Sequence, residues 1–143
     1  LSAEDLGTIV AQGDIGINEL NGNSIDYTLE ERAVEGISGT ATFAERRSGE
    51  ILATLQLEGT PEDGSHPAHI HMNSAAEGGA ILYTFTPVNG TTGMSRSNVS
   101  MLDNGNMFNY SDILNVDGYV NVHLSMAQLT TIVAQGNIGS NAM

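Results

Sequence analysis

The chain has 143 residues with no cysteine and no lysine, and its formal net charge of −13 sets 17 acidic side chains against four arginines. That balance excludes a nucleic-acid partner, whose phosphates need clustered cations to displace their counterions, and it disfavours an anionic membrane surface. Without cysteine there are no disulfides, thiolate metal sites or cysteine nucleophiles, and without lysine there is no Schiff-base chemistry and no lysine–asparagine cross-link.

A hydrophobic share of 40% is enough for one core, and the length suits a single domain over residues 1–143. No run is long and apolar enough to cross a membrane, so no membrane insertion is expected. The opening residues lack the charged, apolar and cleavage-site pattern of a secretory leader, as a mature secreted chain would.

In chain order, SAEDLGTIVAQGDIGIN (2–18) is expected to open with a short helix. Ser2 would cap it, Glu4 and Asp5 would sit in its first turn, Leu6, Ile9 and Val10 would share a face, and Gly13 would end it. Strand-like alternation follows. SIDYTLEE (24–31) puts Ile25, Tyr27 and Leu29 on one face, and EILATLQLEG (50–59) does the same with Ile51, Ala53, Leu55 and Leu57. PAHIHMN (67–73), AILYTFTP (80–87) and GYVNVHLS (118–125) are further strands. The polar stretch 89–112 reads as a long loop, and Asp103 and Asn106 within it do not fit the calcium-loop spacing. Asn-Gly pairs at 21–22, 89–90 and 104–105 signal turns. The last segment, SMAQLTTIVAQGNIGSN (125–141), repeats the pattern of residues 2–18 through Ser125, Leu129, Ile132, Val133 and Gly136, and each copy is expected to be a short helix followed by a strand. Short alternating strands with one polar face predict an all-β fold. The expected architecture is an antiparallel Greek-key β-sandwich or barrel, with short helices near the termini.

The first and last of these segments are copies. Residues 2–18 and 125–141 lie 123 residues apart and share TIVAQG followed by Ile-Gly at one offset. Self-similarity at a fixed period is the mark of a tandem array, so both segments read as the same repeat boundary and neighbouring repeats are expected partners. Strand exchange between modules is conceivable from the shared ends.

Three of the four histidines lie within six positions, in HPAHIHMNS (66–74). Side chains alternate along a strand. Ala68, Ile70 and Met72 then face the core while His69, His71 and Asn73 face away. In GYVNVHLS, Val120, Val122 and Leu124 face the core while Tyr119, Asn121 and His123 face away. If the two strands are neighbours, three imidazoles converge on the outer side of the sheet. Residues i and i+2 of a strand are roughly 7 Å apart at the backbone. Imidazole arms close that gap onto one ion with bonds of about 2.0–2.1 Å. The candidate ligands are His69, His71 and His123, with His66, next to Pro67 in a turn, as a fourth ligand or a supporting partner. Copper is the preferred ion because nitrogen sites bind it most tightly, and zinc is the alternative. Tyr119 and Asn121 share the histidine face and could orient the rings. The competing reading is a merely polar strand face with no metal.

Two of these motifs resemble the CHRD family, named from chordin. AHIHMNSAAEGG (68–79) is similar to its A-H-I-H segment and glycine-rich turn, and GYVNVHLS (118–125) to its later G-Y-V-N-V-H strand. IVAQGNIG (132–139) resembles the family's last strand, with Gln135 where an arginine is usual and LSMAQLTT in place of a Pro-Gly turn. The likeness spans roughly residues 20–139. It implies an extracellular, cell-surface or periplasmic location, often in tandem arrays, and leaves the activity open. A weaker similarity is to the copper/zinc superoxide dismutase sandwich, which carries a His-x-His strand and a late copper-binding histidine in the order of His69, His71 and His123. The dismutase disulfide and the His/Asp-rich zinc loop are missing here, which argues against dismutation.

Binding is favoured over catalysis. Ser65, Ser74 and Ser125 are near the histidines in sequence, but no Gly-x-Ser-x-Gly elbow is present, and carboxylate pairs among 17 acidic residues carry no signal. The functions expected are a metal-binding secreted module or, alternatively, a purely structural spacer or adhesion repeat.

Overall fold

The computed structural model describes residues 6–142. Its described strands are β1 (Leu20–Glu31), β2 (Ser38–Arg46), β3 (Ile51–Glu58), β4 (Ser65–His66), β5 (Ala68–Met72), β6 (Ile81–Thr84), β7 (Val88–Asn89), β8 (Met94–Val99), β9 (Asp117–Ser125) and β10 (Gln128–Gly139). One short helix, α1 (Tyr110–Ile113), precedes β9. The strands pair antiparallel in the order β4-β7-β8-β3-β2-β1-β10-β9-β5-β6, and the sheet curls into a half-barrel. The non-sequential neighbours β3–β8 and β5–β9 are the crossovers of a Greek key. The two halves, β8-β3-β2-β1 and β10-β9-β5-β6, meet through a short pairing of β1 with β10 at Glu30↔Gln135 and Glu31↔Ala134.

The core fills the concavity. β3 supplies Ile51, Ala53, Leu55 and Leu57, β5 supplies Ala68 and Ile70, and β9 supplies Val120 and Val122, all buried. Phe43 of β2 is fully buried between Tyr27, edge-on at 5.9 Å, and Phe85 at 6.4 Å. Removing each large apolar side chain from water contributes about 1.5–3 kcal/mol, which is why period-2 alternation fixes the register of these strands. Among the described residues no helix is long and apolar enough to cross a membrane.

The sequence expectation fails in several places. The helix expected over Ser125–Gly136 is strand β10, paired along most of its length with β9. Its Thr-Thr-Ile-Val run is β-branched, stiff at χ1 and better suited to a pleated surface than to a helix. The first copy is not helical either over residues 6–15, which form turns and extended backbone before a single 3-10 turn at Gly16–Asn18; Ser2, Glu4 and Asp5 lie outside the described residues. The stretch 89–112 is only partly loop, because it contains β8, paired with β3, and α1. β8 turns Ser95, Ser97 and Val99 inward, so its buried face gives little hydrophobic signal. The Ser95 hydroxyl donates to the Thr86 carbonyl, and Ser97 Oγ accepts from Thr86 N at 3.0 Å. α1 carries a capping box in which Asn109 and Asp112 each accept the other's backbone N–H. Finally, Met72, assigned to the core face, is 44% exposed at the end of β5.

Asn-Gly at 104–105 makes a turn, with Gly105 at φ +90°, whereas Asn21-Gly22 sits at a register shift inside β1.

Candidate metal centre

β5 lies directly against β9, so the two histidine-bearing strands are neighbours. In this register His69 stands opposite Asn121 and His71 opposite Tyr119, and His123 is one same-face step beyond Asn121. Because Ala68, Ile70, Val120 and Val122 fill the core, the pleat sends the three imidazoles to the other face. One nitrogen from each of His69, His71 and His123 lies within 4.8 Å of the others. The arrangement could hold a metal ion.

Backbone carbonyls orient two of the rings. His71 Nδ1 is 2.8 Å from the Gly79 carbonyl, and His123 Nδ1 is 2.6 Å from the Leu129 carbonyl. A carbonyl only accepts, so both Nδ1 atoms carry the proton, and in the neutral rings both Nε2 atoms present a lone pair. The lone pair of His123 Nε2 takes a hydrogen bond from His69 Nδ1 at 3.0 Å. The His71 Nε2 is buried with no hydrogen-bond partner. A buried acceptor without a donor is costly and asks for an explanation. For His69 to offer Nδ1 to an ion it needs only to shift its proton to Nε2, a change of tautomer and not of charge.

The rings are packed as well as bonded. His69 meets His123 at 5.0 Å and His71 at 5.7 Å between centroids, both edge-on, while Tyr119 stacks on His71 at 5.1 Å with 15° between planes. Tyr119, Asn121 and His123 are 6%, 5% and 6% exposed, so the face predicted to be solvated is largely covered where β9 crosses it. Burial holds His69 below the ordinary histidine value, helped by the neighbouring His123 and His71 and opposed by the Asp103 carboxylate. Burial also lowers His123, with the Leu129 carbonyl pulling the other way. Both shifts favour the neutral, ligating form.

His66, the fourth candidate, lies apart from this cluster. It is 1% exposed on β4, its Nδ1 donates to the Leu124 carbonyl at 2.9 Å, and its Nε2 packs beside Gly64, where a Cβ would come within 2.8 Å. Tyr119 supports His71 through its ring face. Asn121 sits across from His69 with its buried Oδ1 lacking a hydrogen-bond partner. Gly78, at φ +74°, closes the turn that follows β5, its N–H donating to the Ser74 carbonyl at 2.9 Å. Ser74 Oγ donates to Glu77 at 2.9 Å, and among the described residues no hydrogen bond joins Ser65, Ser74 or Ser125 to a histidine side chain.

Sequence reasoning did not find the Gly79 and Leu129 carbonyls, because every residue carries a carbonyl and only the fold aims it. It also missed Asp103. That carboxylate accepts from Thr84 N at 3.1 Å and Thr84 Oγ1 at 2.7 Å, and Thr84 is the β6 partner of His69. No family model matches the chain, and no curated protein matches it in sequence.

Proposed function

We propose that the chain is a metal-binding module of the CHRD type, from a secreted or cell-surface protein, with copper as its ion and zinc as the alternative. The ligands are His69 through Nδ1 and His71 and His123 through Nε2. The observation that carries this reading is the pair of backbone carbonyls that hold His71 and His123 in the tautomer whose lone pairs converge. A merely polar strand face has no need of that arrangement, whereas metal-binding histidines regularly donate their second nitrogen in this way. The all-nitrogen donor set suits copper and zinc alike. Copper is preferred because nitrogen sites bind it more tightly than zinc in the affinity order.

The second reading is a structural spacer or adhesion repeat without metal, favoured by the copied ends of the chain. Calorimetric titration separates the two. The wild type is expected to take up one copper(II) ion tightly and zinc(II) more weakly, and the His69→Ala/His71→Ala/His123→Ala variant neither. A wild type that binds no better than this variant leaves the spacer reading standing.

A further inference from the structure

The repeated segment makes two opposite uses of one sequence. Thr8–Gly16 reads TIVAQGDIG, and Thr131–Gly139, within β10, reads TIVAQGNIG. In β10, Val133, Ala134 and Ile138 are completely buried. Their counterparts Val10, Ala11 and Ile15 are exposed, Val10 by 79% and Ile15 by 81%, and Leu6, Ile9 and Ile17 nearby are exposed as well.

The glycines are more telling than the apolar residues. A Cβ on Gly136 would come within 2.0 Å of the Thr28 carbonyl oxygen of β1, and one on Gly139 within 2.1 Å of the Val116 carbonyl oxygen. Both positions therefore admit only glycine. At the counterparts Gly13 and Gly16 a Cβ would meet nothing within 4 Å. Gly16 nevertheless holds φ +61°, against +60° at Gly139. The single difference, Asp14 for Asn137, keeps the function of that side chain: Asn137 Oδ1 accepts from Ala75 N at 2.8 Å, and a carboxylate can do the same. The first copy thus carries every feature that the slot between β1 and β9 demands, in a place where neither its apolar side chains nor Gly13 is put to use.

We infer that Thr8–Gly16 is a second β10, made to fill the β1–β9 slot of a second copy of this module. Inserted strands gain main-chain bonds on both sides while alternate side chains enter the core, a known mode of peptide recognition. A reciprocal exchange of this kind closes a dimer, and a one-way exchange runs on as an open array. The inference rests on the repeat and not on the metal reading, and the repeating unit it implies runs from about residue 17 to Gly139. In the present chain the segment is held beside β2 through Asp14, which meets Arg46 at 2.7 Å, a contact that insertion would break.

The absence of cysteine makes a cross-linking test clean. Gln12 is the counterpart of Gln135, whose register partner on β1 is Glu30. A donor chain carrying Gln12→Cys is refolded from urea together with an acceptor carrying Glu30→Cys, and the mixture is oxidised. Two acceptors are used, one with its own β10 intact and one with Gly136→Val to weaken it. A chain carrying both Gln135→Cys and Glu30→Cys calibrates the geometry by closing within itself. The expected result is a donor–acceptor disulfide that grows with concentration, is more abundant with the weakened acceptor, and is lost when the donor also carries Gly13→Val. That last change meets nothing in its own module, so the donor's fold is unaffected. Absence of the disulfide with both acceptors, or a disulfide indifferent to Gly13→Val, overturns the inference.

Discussion

β3 and β9 occupy equivalent places, each in the middle of one half of the sheet, and each presents an apolar inner face. Their outer faces differ. On β3, Leu52 and Thr54 are half-buried and Gln56 and Glu58 are exposed. On β9, Tyr119, Asn121 and His123 are all buried. Water satisfies the polar groups of β3 at no cost, whereas those of β9 must find protein partners or remain unpaired. Two of the atoms on this face, His71 Nε2 and Asn121 Oδ1, have none. Tyr27 Oη on β1 and His66 Nε2 on β4 are unpaired as well, so it is the covered polar outer face, and not the unpaired atoms alone, that sets the β9 half apart.

If the two halves share one core, truncating their inner faces costs the same. Leu55→Ala on β3 and Ile70→Ala on β5, both fully buried, are each expected to lower unfolding stability by about 2–5 kcal/mol in urea denaturation. A loss confined to one half would mean that the halves unfold separately and that the short β1–β10 pairing does not couple them.

Between pH 7.5 and 5, acid should act through the histidines of the half that holds β5 and β9. The folded protein holds His69 and His123 below the ordinary value of 6.5, so on acidification the unfolded chain takes up protons first. The stability contributed is therefore complete above pH 6.5 and is lost as pH falls through the depressed folded values. Urea midpoints of the metal-free protein, measured between pH 7.5 and 5, are expected to fall. The fall should shrink in a His69→Gln/His123→Gln variant, and an equal slope in both proteins would assign the acid sensitivity to the carboxylates.

The faces of β3, β5 and β9 were legible because alternation is a local property of the chain, and with it came the three converging histidines. Three other features were not. β10 misled because the spacing of TIVAQG suits a helix, while its β-branched Thr-Thr-Ile-Val run and the slot between β1 and β9 make it a strand. β8 was hidden because its buried Ser95 and Ser97 are satisfied by the Thr86 backbone, which no composition reveals. The cover over His123 comes from chain distant from β5, where the Leu129 carbonyl is delivered by the neighbouring hairpin. Sequence fixes which way a side chain points more readily than it fixes what it meets there.

The smallest effect sharpens the comparison most. Thr54→Val on the outer face of β3 exchanges a half-exposed hydroxyl for a methyl, and is expected to change stability by less than about 0.5 kcal/mol. Asn121→Leu on the outer face of β9 is a polar-to-apolar change of similar shape at a buried position. Elsewhere such a change would cost the hydrogen bonds of the amide. Here Oδ1 has no partner to lose, so the substitution removes a desolvated acceptor and should be neutral or stabilising by up to about 1 kcal/mol. Its cost should fall on the site, because Asn121 is the cross-strand neighbour of His69. Copper affinity in the calorimetric titration is expected to drop although the fold is at least as stable. That separation, stability held and affinity lost, is what a face retained for function predicts. A variant that loses both would make Asn121 a structural pin, and the buried polar face of β9 would then belong to the fold.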